Sequence, residues 1–221
     1  MDLVLELVEE GVLTDQEIRG EVDTMVLAGY DTSSTTAAYT CVLLGSYPDV
    51  QEKVYAELEE VFGNSDIDVE KHDLSKLVYL DAVLKEVGRL YPVTPIILRY
   101  VDKDVKLRNY TMPEGSNCAI FLSGVSRHKV WGADKDQFRP ERWLENTVPE
   151  NCNAYTGFST GRRACIGRSY ALTLMKITLV HILRNYRIKA DHRQLVLTLE
   201  LFLKPAEGCK ISLEPRQVRR K

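Results

Sequence analysis

The period of the apolar positions changes along the chain, from helical spacing in its first part to short alternating runs and then back to a single helix. Thr14-Asp15-Gln16-Glu17 forms a capping box, with Leu13 and Ile18 placed as a hydrophobic staple. No proline follows until Pro48, so the spacing predicts one long helix to about Gly45, able to bend at Gly29 and the hydroxyl cluster after it. A second helix opens at Pro48-Asp49 and ends before Gly63, with Val50, Val54 and Leu58 on one face. A third carries Leu80, Val83, Leu84, Val87, Leu90 and Tyr91 and stops at Pro92. Ile96 to Val101, Val105 to Leu107 and Cys118 to Leu122 read as short strands, with Pro113-Glu114-Gly115 as a turn. From Trp131 to Thr160 there is no clean period, and irregular stretches of that length tend to be functional. A last helix is predicted from Ile166 to about Leu183, followed by terminal strands at Leu195 to Leu199 and Lys210 to Leu213. The class is mainly α with small β-sheets, an α+β arrangement without repeats or low-complexity linkers.

Composition narrows this picture little. The 221 residues, 44% apolar and 28% charged, suffice for a sizeable core of ordinary globular make-up. A formal net charge of −3 gives no reason to expect nucleic acid as a partner. Cys41, Cys118, Cys152, Cys165 and Cys209 are odd in number and form no CxxC, which argues against a disulfide scaffold. A zinc site drawn from Cys152, Cys165, His128 and His181 has no ligand spacing behind it. The acidic start Met1-Asp2-Leu3-Val4-Leu5-Glu6 is no signal peptide. The apolar window from Met25 to Ser46 contains Asp31 and many hydroxyls, unlike a membrane span.

The decisive segment is Phe158-Ser159-Thr160-Gly161-Arg162-Arg163-Ala164-Cys165-Ile166-Gly167. It resembles FxxGxRxCxG, the haem-binding signature of the cytochromes P-450, at all five specified positions, a coincidence expected in roughly one chain in ten thousand of this length. The resemblance implies that Cys165 is the axial ligand of a haem b iron, where a thiolate pushes electron density onto the metal. A cysteine just before a helix can face its free N–H groups and the positive end of its dipole. Gly161 permits a tight loop and Gly167 a close approach of the porphyrin. Phe158 can shield the sulfur, and Arg163 can pair with a haem propionate. Most lone cysteines are structural thiols, and the other four are read that way.

Three further segments carry the resemblance. Glu86 and Arg89 form ExxR and share a helix face; most such pairs are solvated, but a buried one requires further partners. Phe138-Arg139-Pro140-Glu141-Arg142-Trp143 is similar to the family's FxPERF segment, with Trp143 replacing the final Phe. By that likeness Arg142 is the third member of a structural triad with Glu86 and Arg89. Arg99 matches a strand arginine that contacts a haem propionate in many members, or else it faces solvent. Ala28-Gly29-Tyr30-Asp31-Thr32-Ser33 resembles AGxDT[ST]. There Gly29 leaves room for oxygen, and Thr32, assisted by Asp31, relays protons to it. A helix N-cap at Asp31 is the competing reading. Glu21-Val22-Asp23-Thr24 resembles the microsomal group that includes fatty-acid ω-hydroxylases. Ala28 stands where that group often has the glutamate that some members attach to haem.

The resemblance covers nearly the whole chain and implies the C-terminal part of the cytochrome P-450 fold, with residues 1–221 as a partial domain lacking the N-terminal half and its membrane anchor. It implies a haem monooxygenase that inserts one oxygen atom of O₂ into an apolar small-molecule substrate. Electrons would come from NADPH–cytochrome P-450 reductase or cytochrome b5, at the cytosolic face of the endoplasmic reticulum membrane. Thr32 separates this from relatives that isomerise peroxides. The alternative is an inactive fragment of such an enzyme, unable to hold haem alone.

Overall fold

The computed structural model describes residues 6, 11–63, 68–145, 148 and 155–216; Cys152 and part of the irregular stretch lie outside them. Helix α1 spans Asp15–Ser46 without interruption, and Thr14 caps it in the predicted box: the Glu17 amide donates to Thr14 Oγ1 at 3.3 Å and the Thr14 amide to Glu17 Oε2 at 2.8 Å. Helix α2 covers Pro48–Phe62, closed by Gly63 at φ 61°, and α3 covers Val78–Leu90. Strands β1 (Ile96–Tyr100), β2 (Val105–Lys106), β3 (Thr111–Met112) and β4 (Asn117–Phe121) come next. The short helix α4 (Leu122–Ser126) leads into the irregular stretch, which holds 3₁₀ turns at Lys129–Trp131 and Pro140–Trp143. Helix α5 is Arg168–Asn185, and β5 (Tyr186–Lys189), β6 (Leu197–Leu199), β7 (Leu203–Pro205) and β8 (Ser212–Pro215) complete the described chain. The strands pair antiparallel in twos, β1 with β4, β2 with β3, β5 with β8 and β6 with β7. This is the mainly helical α+β class that the apolar pattern predicts.

The core lies where the second half of α1 meets α2, α3, α5 and β5. Tyr39, Leu44, Val54, Leu80, Val83, Leu179, Leu183 and Ile188 are essentially buried there. The approach is closest at Gly45: a methyl group on it would lie 2.7 Å from the Ala190 backbone nitrogen, so only glycine fits. Gln51, buried between α1 and β5, donates to the Leu44 and Ile188 carbonyls at 2.9 Å each and accepts from the Ile188 amide at 2.8 Å. Its side chain thus satisfies backbone groups that the packing removes from water.

Helix α5 starts two residues beyond its expected beginning, because Gly167 takes the N-cap position. Strands β3, β5 and β7 are too short, or follow a helix too closely, for a period of two to mark them. β5 follows α5 directly and is defined by its pairing with β8, Ile188 facing Leu213.

Candidate active site

Glu86 is the centre of a buried ionic cluster. It sits on α3 with 0% side-chain exposure, as does Arg89, and Arg142 from the 3₁₀ turn at Pro140–Trp143 is 1% exposed. Glu86 Oε1 accepts from Arg89 Nη2 at 2.8 Å, Arg142 Nε at 2.9 Å and the Arg139 amide at 3.1 Å. Its Oε2 accepts from Arg89 Nε at 2.9 Å and from the Trp143 indole nitrogen at 3.0 Å. The remaining guanidinium protons are also used. Arg89 donates to the carbonyls of Ser126, Lys135 and Gln137, and its guanidinium lies 5.1 Å from the Trp131 ring centroid. Arg142 donates to Asp134 Oδ2 at 3.2 Å and the Asp134 carbonyl at 3.1 Å. Two carboxylates thus face two guanidinium groups, and the hydrogen bonding meets the requirement that makes a buried ion pair tolerable. Burial pushes the Asp134 carboxyl up, but the Arg142 hydrogen bond and the charges of Arg142 and Arg139 outweigh it and hold it below the usual range.

The structure therefore brings Glu86, Arg89 and Arg142 together, and it adds two members that sequence reasoning missed. Asp134 carried no motif. Trp143 was noted only as a departure from Phe, yet it supplies a donor that a phenyl ring lacks. The cluster fastens the irregular stretch to α3 through backbone carbonyls from Ser126 to Gln137.

The cysteine loop follows that stretch. Phe158 packs partly buried against the core, and its carbonyl accepts from the Cys165 amide at 2.8 Å, closing the loop. The turn between them requires left-handed backbone, with Ser159 at φ 58° and Gly161 at φ 74°. Cys165 is exposed, whereas Cys41 is buried and Cys118 and Cys209 are partly so. Burial pushes the Cys41 thiol up to about 11 and also raises that of Cys209, which suits inert structural thiols. A methyl group at Gly167 would lie 3.8 Å from Cys165 Sγ, so the glycine leaves the flank of the sulfur open. Arg163 is exposed and Arg99 half-buried on β1; among the described residues neither guanidinium meets a carboxylate. Arg99 Nη1 donates only to the adjacent Leu98 carbonyl, at 2.8 Å.

Gly29, Asp31 and Thr32 lie inside α1, so Asp31 is not a helix N-cap. Gly29 looks across at α5: a methyl group on it would lie 3.7 Å from the Tyr170 ring, in the first turn after the cysteine loop. That brings the Gly29 motif of α1 against the first turn of α5, which the cysteine loop leads into. The Thr32 hydroxyl donates to the Ala28 carbonyl at 2.6 Å, and Asp31 Oδ2 meets Lys204 Nζ at 2.7 Å.

The family model for cytochrome P-450 matches residues 1–213. The chain belongs to the cytochrome P-450 family. It is 36% identical over 222 residues to cytochrome P-450 4g15 of Drosophila melanogaster, covering 98% of this chain and 39% of that protein. To cytochrome P-450 4V2 of Mus musculus it is 37% identical over 221 residues, covering 98% of this chain and 42% of the relative. A crystal structure of a cytochrome P-450, CYP102L1, superposes with a TM-score of 0.83 at 29% identity, over 92% of this chain and 46% of that one. The chain thus spans less than half the length of the relatives it matches. Both relatives carry family-4 names within the cytochromes P-450. The cytochromes P-450 are haem-dependent oxidoreductases, and the mixed α+β fold is theirs.

Proposed function

We propose that this chain is the C-terminal part of a haem b monooxygenase, with Cys165 as the thiolate ligand of the iron. The observation that carries the reading is the exposed Cys165 thiol on a loop closed by Phe158 and opening into α5. The donor set fits the group: one accessible soft ligand, a glycine that leaves its flank open, and two guanidinium groups that meet no carboxylate among the described residues, for a porphyrin with two propionates. When bound, the haem supplies the redox chemistry that activates dioxygen.

In this reading Arg99 and Arg163 bind the propionates, and Phe158 keeps water from the sulfur. The buried cluster of Glu86, Arg89 and Arg142 has a structural role: it holds the irregular stretch that delivers the cysteine loop. Gly29 leaves space on α1 beside the site. Thr32 keeps its hydroxyl proton on the Ala28 carbonyl, and its lone pairs remain available as acceptors. Rotation about the Cβ–Oγ1 bond frees that proton for delivery. Adjacent helix positions point about 100° apart, so a proton passes from Asp31 to Thr32 through water rather than directly. The substrate in this reading is an apolar small molecule, as the family resemblance implies. Electrons come from NADPH through a reductase or cytochrome b5, on the cytosolic face of the endoplasmic reticulum membrane. No helix of the described residues is long and apolar enough to cross a membrane, so this placement rests on family resemblance.

The test is a carbon monoxide spectrum of the hemin-loaded, reduced protein. A strongly red-shifted Soret band, lost in Cys165→Ala, is expected. A haem complex with an unshifted band overturns the ligand assignment. Haem uptake by a longer parent protein but not by these 221 residues would favour the second reading, an inactive fragment.

A further inference from the structure

We infer that Lys204 is a positioning residue for Asp31, and that the β6–β7 hairpin holds this carboxylate in place for the proton relay. The inference rests on the relay proposed above. Lys204 Nζ lies 2.7 Å from Asp31 Oδ2, in a contact between residues far apart in sequence. The Asp31 side chain is only 18% exposed, while that of Lys204 is 36% exposed. A carboxylate so far withdrawn from water needs a partner, and the ammonium is the one it has among the described residues. In the register of the hairpin Lys204 faces Thr198, and the hairpin itself is anchored on both sides. The Tyr39 hydroxyl of α1 donates to the Leu203 carbonyl at 2.9 Å, and the Leu203 amide donates to the Val93 carbonyl at 2.8 Å.

These contacts fix the base of the Lys204 side chain relative to α1. An aspartate on an exposed helix face samples several rotamers; here one oxygen is tied to an ammonium whose backbone is clamped. The other oxygen, Oδ1, stays available to water-borne protons. A shift of the hairpin carries the ammonium with it and releases the carboxylate. The hairpin also touches the segment after α3 through Val93. Asp31 and Thr32 belong to the relay; Lys204 acts on it through Asp31.

The test uses the haem-loaded protein with NADPH and its reductase, without added substrate. A two-electron reduction gives NADPH + H⁺ + O₂ → NADP⁺ + H₂O₂. A four-electron reduction, which needs a further proton delivery, gives 2 NADPH + 2 H⁺ + O₂ → 2 NADP⁺ + 2 H₂O. The measured quantity is hydrogen peroxide released per NADPH consumed. Lys204→Met is expected to raise it about twofold or more, in the same direction as Asp31→Asn and Thr32→Ala, and Lys204→Arg to restore it. Tyr39→Phe loosens the hairpin without removing the ammonium and is expected to raise the ratio less than Lys204→Met does. On the chain without haem, the unfolding shifts of Asp31→Asn and Lys204→Met are expected to be less than additive.

If Asp31→Asn and Thr32→Ala raise the ratio while Lys204→Met does not, the role of Lys204 is overturned and the relay stands. If none of the three raises it, the relay falls, and Lys204 with it. If Lys204→Arg or Tyr39→Phe raises it as much as Lys204→Met, hairpin docking and not the ammonium is responsible, which also overturns the inference. Should Lys204→Met fail to fold, Lys204→Gln is read in its place, and additive unfolding shifts would by themselves show that the pair does not interact.

Discussion

A carboxylate with five donors has little tolerance for the loss of its charge, and Glu86 shows why. Replacing it by glutamine leaves Arg89 and Arg142 buried beside a neutral amide that cannot accept as they require. We expect Glu86→Gln to lower the unfolding free energy by about 3–5 kcal/mol, the usual consequence of breaking a buried ion pair from one side. Urea unfolding followed by circular dichroism measures this. Trp143→Phe restores the residue that the family segment usually carries, yet here it removes a hydrogen bond to a buried charge. A smaller loss, about 1.5–3 kcal/mol, is expected in the same assay. A loss below that of an ordinary surface substitution would mean that the indole contributes packing alone.

Among the elements, α5 is tied to α3 by Lys176. This nearly buried lysine donates to the Leu74 carbonyl at 3.1 Å and pairs with Asp81 at 3.1 Å, while Lys85 meets the other Asp81 oxygen at 2.7 Å. Burial pushes the Asp81 carboxyl up, but the hydrogen bonds and charges of Lys85 and Lys176 outweigh it and hold it below the ordinary range. A carboxyl depressed in the folded state stabilises that state fully above its unfolded pKa, about 3.9, and the contribution disappears as pH falls through the lower folded value. Lys176→Met should therefore cost more stability at pH 6 than at pH 3; equal losses at both would show that the ion pair carries none of the effect. The second contact of this kind is steric. Gly45→Ala drives a methyl group into the Ala190 backbone, and about 1–3 kcal/mol of destabilisation is expected from overpacking that no side-chain rotation relieves.

For the whole molecule, the notable feature is where apolar side chains meet solvent. Tyr30 on α1 is 74% exposed, Ile166 in the cysteine loop 86% and Leu201 at the β6–β7 turn 71%. Tyr170 is exposed as well, and all four belong to the elements that carry or border the proposed haem site. Exposed apolar residues occur elsewhere too, as at Tyr110 and Val12, but those on α1 and beside Cys165 stand where a bound porphyrin would cover them. The 221-residue chain is expected to bind a hydrophobic dye, and added hemin to reduce that binding. Hemin that leaves dye fluorescence unchanged would separate the apolar surface from the site.

The local rules were enough for much of this. The capping box at Thr14, the proline and glycine that bound α2, and the apolar stripe of α3 act within a few residues, so the sequence by itself determined those helices. The FxxGxRxCxG loop was legible for the same reason: its residue types and spacing lie within one turn of chain. The nearness of α1 to α5 at Gly29 and Tyr170 was not. Neither were the strands β5 and β7, which exist through partners distant in sequence, nor the roles of Asp134, Trp143 and Lys204. A charged or aromatic side chain carries no sign of which distant group it will meet. Burial and backbone packing bring such groups within hydrogen-bond distance, and only the tertiary structure decided them.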